Sequence, residues 1–231
     1  MLAGCFLGLN YIGFITGVHL TSPSISQVFI QTGPVILAIA GFVIFKEKVS
    51  VRQGFGLLVV LLGMLVFYRE QIVVLAHGLG EYKKGVLWVL FGAFSWSIYA
   101  ISQKKAVVTH HPMQLNLVIF GLPAILMIPF VKFSMFANLN LTDWLILLFL
   151  GLNTLAAYGS LAFALKYLEA NKISVIITLN PLITFTVMAW LSKKQVSWIE
   201  AENYTLLTIF GALTVITGVI LTVWKRPTHK P

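Results

Sequence analysis

The chain is organised as eight long apolar segments separated by short groups of charged or turn-forming residues. Apolar residues run continuously through each segment instead of alternating, which favours helices over barrel strands. Segments of about 20 residues match a hydrocarbon core about 30 Å thick, in which every backbone amide must be satisfied internally. The pattern therefore predicts an all-α transmembrane helical bundle of about eight spans, at residues 2–20, 25–45, 52–68, 85–103, 113–131, 144–165, 172–192 and 204–224.

The composition excludes an ordinary soluble domain. Hydrophobic residues make up 58% of the 231 residues and charged residues only 10%, whereas a soluble domain carries about 25% charged residues. A net charge of +9 would suggest nucleic acid in a soluble protein. In a membrane protein, basic residues collect in cytoplasmic loops instead. We therefore expect the lipid bilayer as a partner and no nucleic acid, and we leave a homodimer open.

The basic residues also predict the orientation of the chain. We call the side that holds the amino end of the first segment side one, and the opposite side side two. Loops and termini on side one carry 10 of the 16 Lys and Arg residues, and loops on side two carry 6. The side richer in Lys and Arg is cytoplasmic by the positive-inside rule. The sequence thus predicts a multi-pass protein of the cell inner (plasma) membrane with both termini in the cytoplasm.

Two parts of the chain repeat each other. The run Leu-Gly-Leu-Asn at 7–10 recurs at 150–153. In the second and seventh segments, four polar or proline positions follow at steps of three, four and three residues, which keeps them on one helical face. The two sets differ by a constant 147 positions and are Ser24, Gln27, Gln31 and Pro34, then Asn171, Ser174, Thr178 and Pro181. An odd number of spans separates the copies, so the repeat is inverted across the membrane.

An inverted repeat is typical of secondary transporters, whose substrate sites lie near the bilayer midplane between the halves. Proline frees a carbonyl and bends a helix, and we expect Pro34 and Pro181 to be helix-bending. Gln31 and Thr178 each precede one of these prolines by one turn, and are the first substrate-binding candidates. The alternative for any single residue is that it hydrogen-bonds neighbouring helices together.

Further substrate-binding candidates are uncharged. Asn10 and Asn153 form a repeat-related pair, and Trp96 and Tyr99 are expected to form an aromatic wall; Tyr158 and Asn180 complete the set. No acid lies near the middle of a segment, which argues against a carboxylate proton relay. No cluster of Cys, His and acids indicates a metal site, and no paired catalytic groups indicate an enzyme. We expect no cofactor and no catalytic residue.

Several runs of residues resemble a known family. Residues 166–181 include Lys-Tyr-Leu-Glu-Ala and Asn-Pro, residues 17–48 end in Lys-Glu-Lys, and Trp96-Ser-Ile-Tyr99 precedes Lys104-Lys105. These runs resemble the repeated segment of EamA-domain proteins in the drug/metabolite transporter superfamily. The resemblance implies ten helices in two inverted halves of five. Here the second half has five spans and the first only three, and residues 193–195 have no acid to match Glu47.

The resemblance divides the chain into a partial first repeat at 1–70, a connecting loop at 71–84, a second repeat at 85–224 and a cytoplasmic tail at 225–231. It implies a secondary transporter that exports or exchanges small metabolites or drugs by alternating access. The alternative is an inactive or truncated membrane subunit. Since two amino-terminal helices of the family pattern have no counterpart, we expect a fragment or a misplaced start, which the intact mass of the native protein would test.

Overall fold

A computed structural model describes residues 1–21, 23–69, 72–73, 80–194 and 205–223. Regular structure in these residues is helical throughout, as predicted. The α-helices are α1 (Leu2–Leu20), α2 (Pro23–Ile30), α3 (Thr32–Val43), α4 (Val51–Phe67), α5 (Gly80–Ala106), α6 (Pro112–Met127), α7 (Leu141–Tyr167), α8 (Ala170–Ile177), α9 (Asn180–Lys193) and α10 (Leu206–Val223). Two short 3₁₀ segments, Ile128–Phe130 and Phe133–Asn138, follow α6.

The eight predicted spans all correspond to helical structure. Within the described residues, five helical stretches are long and apolar enough to cross a membrane, and they are Leu2–Leu20, Ile25–Val43, Gly80–Ala106, Pro112–Phe130 and Leu141–Tyr167. The apolar helices Val51–Phe67 and Leu206–Thr222 are shorter. At 1.5 Å per residue, the former extends about 26 Å. α5 begins at Gly80, within the stretch assigned to the connecting loop; most of that loop, and residues 225–231, lie outside the described part.

The second and seventh segments are each broken in the middle. α2 gives way to α3 at Gln31, whose φ and ψ are −64° and −13°; at Thr178, which ends α8, they are −64° and −6°. Each break lies one turn before a proline, which has no N–H to donate to the carbonyl four residues earlier. Accordingly, no backbone N–H of the described residues between these helices bonds the Ile30 or Ile177 carbonyl.

Helices α4 and α10 show the inverted repeat directly, because they pack against each other in antiparallel fashion with reciprocal contacts. A Cβ placed on Gly218 would lie 2.7 Å from the Val60 backbone nitrogen, and one on Gly63 would lie 2.7 Å from the Val215 nitrogen. Val60 corresponds to Val215, and Gly63 to Gly218, under one offset of 155 positions. A twofold axis between the two helices produces reciprocal contacts of this kind.

The remaining packing follows the same symmetry. α2 packs on α9 while α3 packs on α8, so each half-helix of one repeat contacts the opposite half-helix of the other. α1 packs closely along α5, where a Cβ on Gly13 would lie 2.9 Å from the Gly92 Cα atom. Such approach needs residues without side chains at both positions. The main buried cluster lies where these helices converge, and α6 and α7 keep largely apolar, exposed surfaces that suit lipid contact.

Candidate functional site

A cavity of about 580 Å³ lies between the two repeats. Residues of α1, α2, α3, α5, α7, α8 and α9 line it, so both broken segments reach it. Asn10 lies near the middle of α1 and Thr154 at the middle of α7, which places the cavity at mid-length of the spans. Its polar and aromatic lining residues are Asn10, Tyr11, Phe14, Gln27, Gln31, Trp96, Thr154, Tyr158, Ser160 and Asn180.

The structure places the residues predicted from the sequence in two groups. Those that line the cavity are Asn10, Gln31, Pro34, Trp96, Tyr158 and Asn180. Those that lie outside its lining are Asn153, Tyr99, Thr178 and Pro181. The repeat-related pairs are therefore divided, with one member at the cavity and the other elsewhere.

Gln31 occupies the break between α2 and α3. Only 2% of its surface is exposed, and its Oε1 atom accepts no hydrogen bond from the described residues. Burying an amide oxygen without a partner costs about 1–3 kcal/mol. The Oε1 atom has almost no accessible surface, so in this conformation it is a buried acceptor without a partner, although Gln31 itself lines the cavity.

Thr178 is the repeat equivalent of Gln31, but its hydroxyl is already used. It is buried and donates to the Val175 carbonyl at 2.6 Å within α8. The hydroxyl thereby satisfies a carbonyl of the last turn, where helical N–H donors run out. Both repeats have the helix break. At the break itself, the first repeat has a buried side-chain acceptor without a partner, Gln31 Oε1, whereas the Thr178 hydroxyl of the second repeat is hydrogen-bonded.

An aromatic cluster forms one wall, with Tyr158 at its centre. The Tyr158 ring lies 5.2 Å from Phe120, 5.9 Å from Tyr99 and 6.5 Å from Tyr11, measured between ring centroids. Tyr99 is fully buried behind this layer and lies 6.4 Å from Trp96. The predicted wall of Trp96 and Tyr99 thus has Trp96 and Tyr158 at its surface, with Tyr99 as the residue that supports them.

Asn10 is held in place by a long-range hydrogen bond. Its Nδ2 atom donates to the Gly92 carbonyl of α5 at 3.0 Å. Asn153 on α7 is exposed, because within the described residues no helix packs on α7 as α5 packs on α1. The next residue, Thr154, faces the cavity instead.

Sequence reasoning left Tyr11, Phe14, Thr154 and Ser160 out of the candidate set. Two of these had a usable signal, since Tyr11 and Thr154 directly follow the repeated Asn10 and Asn153. Where a cavity spans two adjacent helical positions, both the last residue of the repeated motif and the residue after it are candidates for its lining. Gln27, already part of the polar stripe, lines the cavity one turn before Gln31.

The described lining residues include no Asp, Glu, Lys, Arg or His. No group of three or more metal-binding side chains occurs among the described residues either. The lining instead offers amide, hydroxyl and aromatic groups. Such groups can form hydrogen bonds and ring contacts.

Charged residues meet at the side-one end of the cavity, in an arrangement that we call the side-one latch: Glu47, Lys104 and the first turn of α8. The Glu47 carboxylate accepts the Ala170 N–H at 2.6 Å and the Asn171 N–H at 3.2 Å. Lys104 Nζ lies 3.3 Å from this carboxylate and donates to the Leu168 carbonyl at 2.7 Å. Because an acid is favourable at a helix N-terminus, the latch joins the first repeat to α8.

Comparison with protein families identifies the chain. The model of the EamA-like transporter family matches residues 1–69 and 83–224. An uncharacterized transporter of Haemophilus influenzae is 32% identical, over 96% of this chain and 72% of that protein. The uncharacterized inner membrane transporter YhbE of Escherichia coli is 33% identical, over 94% of this chain and 68% of YhbE.

A solved structure shares the fold. It superposes with a TM-score of 0.70, covers 96% of this chain and 74% of the other, and is 14% identical. At this identity it informs the fold alone. Together with the apolar helices and the inverted repeat, these matches show that the chain belongs to the EamA-like transporter family and is a multi-pass membrane protein.

Proposed function

We propose that the chain is a secondary transporter of the inner membrane that exports or exchanges small metabolites or drugs by alternating access, with both termini cytoplasmic. The observation that carries this proposal is the central cavity, which both broken segments reach from opposite repeats. In inverted-repeat carriers, one half rocks against the other around a site at the midplane. The reciprocal glycine contacts between α4 and α10 supply a small-residue surface along which such movement can occur.

The uncharged lining bears on energy coupling. A proton-coupled carrier commonly buries an acid at membrane depth, and no such acid is present among the described lining residues. We therefore propose facilitated diffusion or exchange down the gradient of the solute. The cavity offers no catalytic pair, and the proposed activity is non-enzymatic.

Growth in the presence of toxic metabolite analogues tests the proposal. Overexpression of the chain should raise tolerance to at least one compound in a broad panel of amino-acid and nucleobase analogues. Trp96→Ala removes part of the cavity wall and should abolish that tolerance. Trp88→Ala is a matched control on the same helix, because Trp88 is 40% exposed and does not line the cavity.

Immunoblots of the membrane fraction establish that the variants are present in equal amounts. Two results would contradict the proposal. One is an absence of any altered tolerance across the panel. The other is full protection by the Trp96→Ala variant, which would show that the cavity takes no part in the effect.

A further inference from the structure

The two helix breaks make the cavity rich in hydrogen-bond acceptors. Ile30 and Ile177 both line it, and no backbone N–H of the described residues between the half-helices bonds either carbonyl. Gln31 also lines the cavity, and its Oε1 atom is buried and accepts no hydrogen bond from the described residues. Asn10, a further amide of the lining, uses its nitrogen to donate a hydrogen bond to the Gly92 carbonyl. A solute that supplies donors complements this wall.

The charge of the solute is limited by the same lining. An anion would meet no Lys, Arg or His, and a cation would meet no Asp or Glu, among the described lining residues. At the side-one end of the cavity, Glu47 and Lys104 already lie 3.3 Å apart in the side-one latch. Bringing an ion out of water without a counter-charge is costly. The cavity therefore favours a solute with no formal charge.

The shape of the solute follows from the rings. Tyr11, Phe14, Trp96 and Tyr158 all line the cavity, and aromatic side chains prefer offset or edge-to-face partners at centroid distances of about 4.5–7 Å. A planar ring placed among them gains such contacts without a polar partner on each face.

We infer that the cavity takes uncharged, planar heteroaromatic compounds that carry N–H or O–H donors, such as neutral indoles and nucleobases. The inference rests on the proposed function and adds the substrate class. The donors bond the two freed carbonyls, while the ring packs among the aromatic side chains. Because both the empty and the loaded cavity are uncharged, transport of such a compound moves no net charge through it.

Three indole probes that differ only in charge test the inference: tryptophol is neutral, tryptamine is a cation and indole-3-acetate is an anion. Their binding to the purified full chain is measured by titration calorimetry. Tryptophol should bind at least tenfold more tightly than either charged probe. Equal or tighter binding of a charged probe, or no binding of tryptophol, would overturn the inference.

A change of charge at Gln31 provides a second, independent comparison. Gln31→Glu places an acid at the cavity wall and should shift the ratio of tryptamine to tryptophol affinity at least tenfold toward tryptamine. Gln114→Glu is the matched control, because Gln114 is exposed on α6, and it should leave the ratio unchanged. An unchanged ratio in folded Gln31→Glu protein would also overturn the inference.

The comparison of the three probes on the unaltered chain needs no variant, so it stands even if Gln31→Glu fails to fold. The outcome is also separable from the proposed function. If tolerance of toxic analogues depends on Trp96 but tryptophol is not preferred, the transporter stands and the substrate class falls. If tryptophol binds selectively but no compound is transported, the ligand class stands and the proposed transport function falls.

Discussion

The side-one latch gives the sharpest test of how the two repeats move against each other. Glu47 and Lys104 are only 9% and 12% exposed, and Glu47 accepts two N–H groups from the first turn of α8. In the proposed alternating-access cycle, opening of the cavity toward side one separates these groups. Glu47→Gln keeps the size of the side chain but removes its charge and one of its two acceptor oxygens.

The magnitude follows from the bonds that are lost. A hydrogen bond to a charged group contributes about 1.5–3 kcal/mol, and a neutral one about 1 kcal/mol. The amide side chain of the Glu47→Gln variant would retain one neutral bond to α8. Lys104 would keep the Leu168 carbonyl and its position 5.3 Å from the Phe45 ring centroid, which limits the cost of leaving it without an acid. The closed form should therefore lose about 2 kcal/mol relative to the open form, about 30-fold in their ratio.

Cysteine labelling measures this ratio. Ile173 lines the cavity in α8 and is 3% exposed, so Ile173→Cys reports opening once the exposed Cys5 is replaced by alanine. Glu47→Gln should raise the maleimide labelling rate by up to about 30-fold, until the open form is no longer minor. Glu81→Gln, at an exposed acid on α5, should leave the rate unchanged.

An unchanged labelling rate in folded Ile173→Cys protein that carries Glu47→Gln would show that the side-one latch does not hold the cavity closed. A lower melting temperature without faster labelling would show that Glu47 stabilises α8 in every conformation. An equal rise with Glu81→Gln would show a nonspecific effect of charge removal.

Two further predictions concern packing and orientation. Gly56→Ala should lower the free energy of unfolding by about 1–3 kcal/mol, because the new Cβ would lie 2.9 Å from the Gly218 carbonyl oxygen. Gly54→Ala should not destabilise the protein, because a Cβ at that position would have no neighbour within 4 Å. Thermal unfolding in detergent compares the two variants, and equal losses of stability would contradict the packing argument. In a Cys5→Ala background, an impermeant maleimide applied to intact cells should label Asn138→Cys on side two but not Thr109→Cys on side one, and the opposite pattern would reverse the proposed orientation.

Sequence reasoning was strongest where the bilayer imposes a simple rule. The eight helical segments follow from apolar length alone, and the inverted repeat follows from polar positions spaced for one helical face. The prolines marked the two broken segments because each lacks an N–H for the helical hydrogen bond, although α6 continues through Pro123. These features depend on local chemistry, which the order of residues contains.

The lining of the cavity was harder to predict because it depends on which helices meet. Asn10 and Asn153 occupy equivalent positions, yet only Asn10 finds a partner in α5, at the Gly92 carbonyl. Tyr99 is one turn from Trp96 but lies behind Tyr158, a contact between residues 59 positions apart in the sequence. Rotation of a helix by one residue decides which side chain faces the cavity, and periodicity alone does not fix that rotation.

The departure from symmetry at the latch has a mechanistic consequence. Position 194 corresponds to Glu47 in the second repeat, and Lys194 instead lies 5.0 Å from the centroid of the Trp190 ring. A cation is unfavourable at a helix N-terminus, so Lys194 does not reproduce for α2 what Glu47 does for α8. A carrier built from identical inverted repeats would close equally well on either side. Among the described residues, an acid joins the two repeats in this way on side one only, so we expect the proposed transporter to rest with that side closed when it is empty.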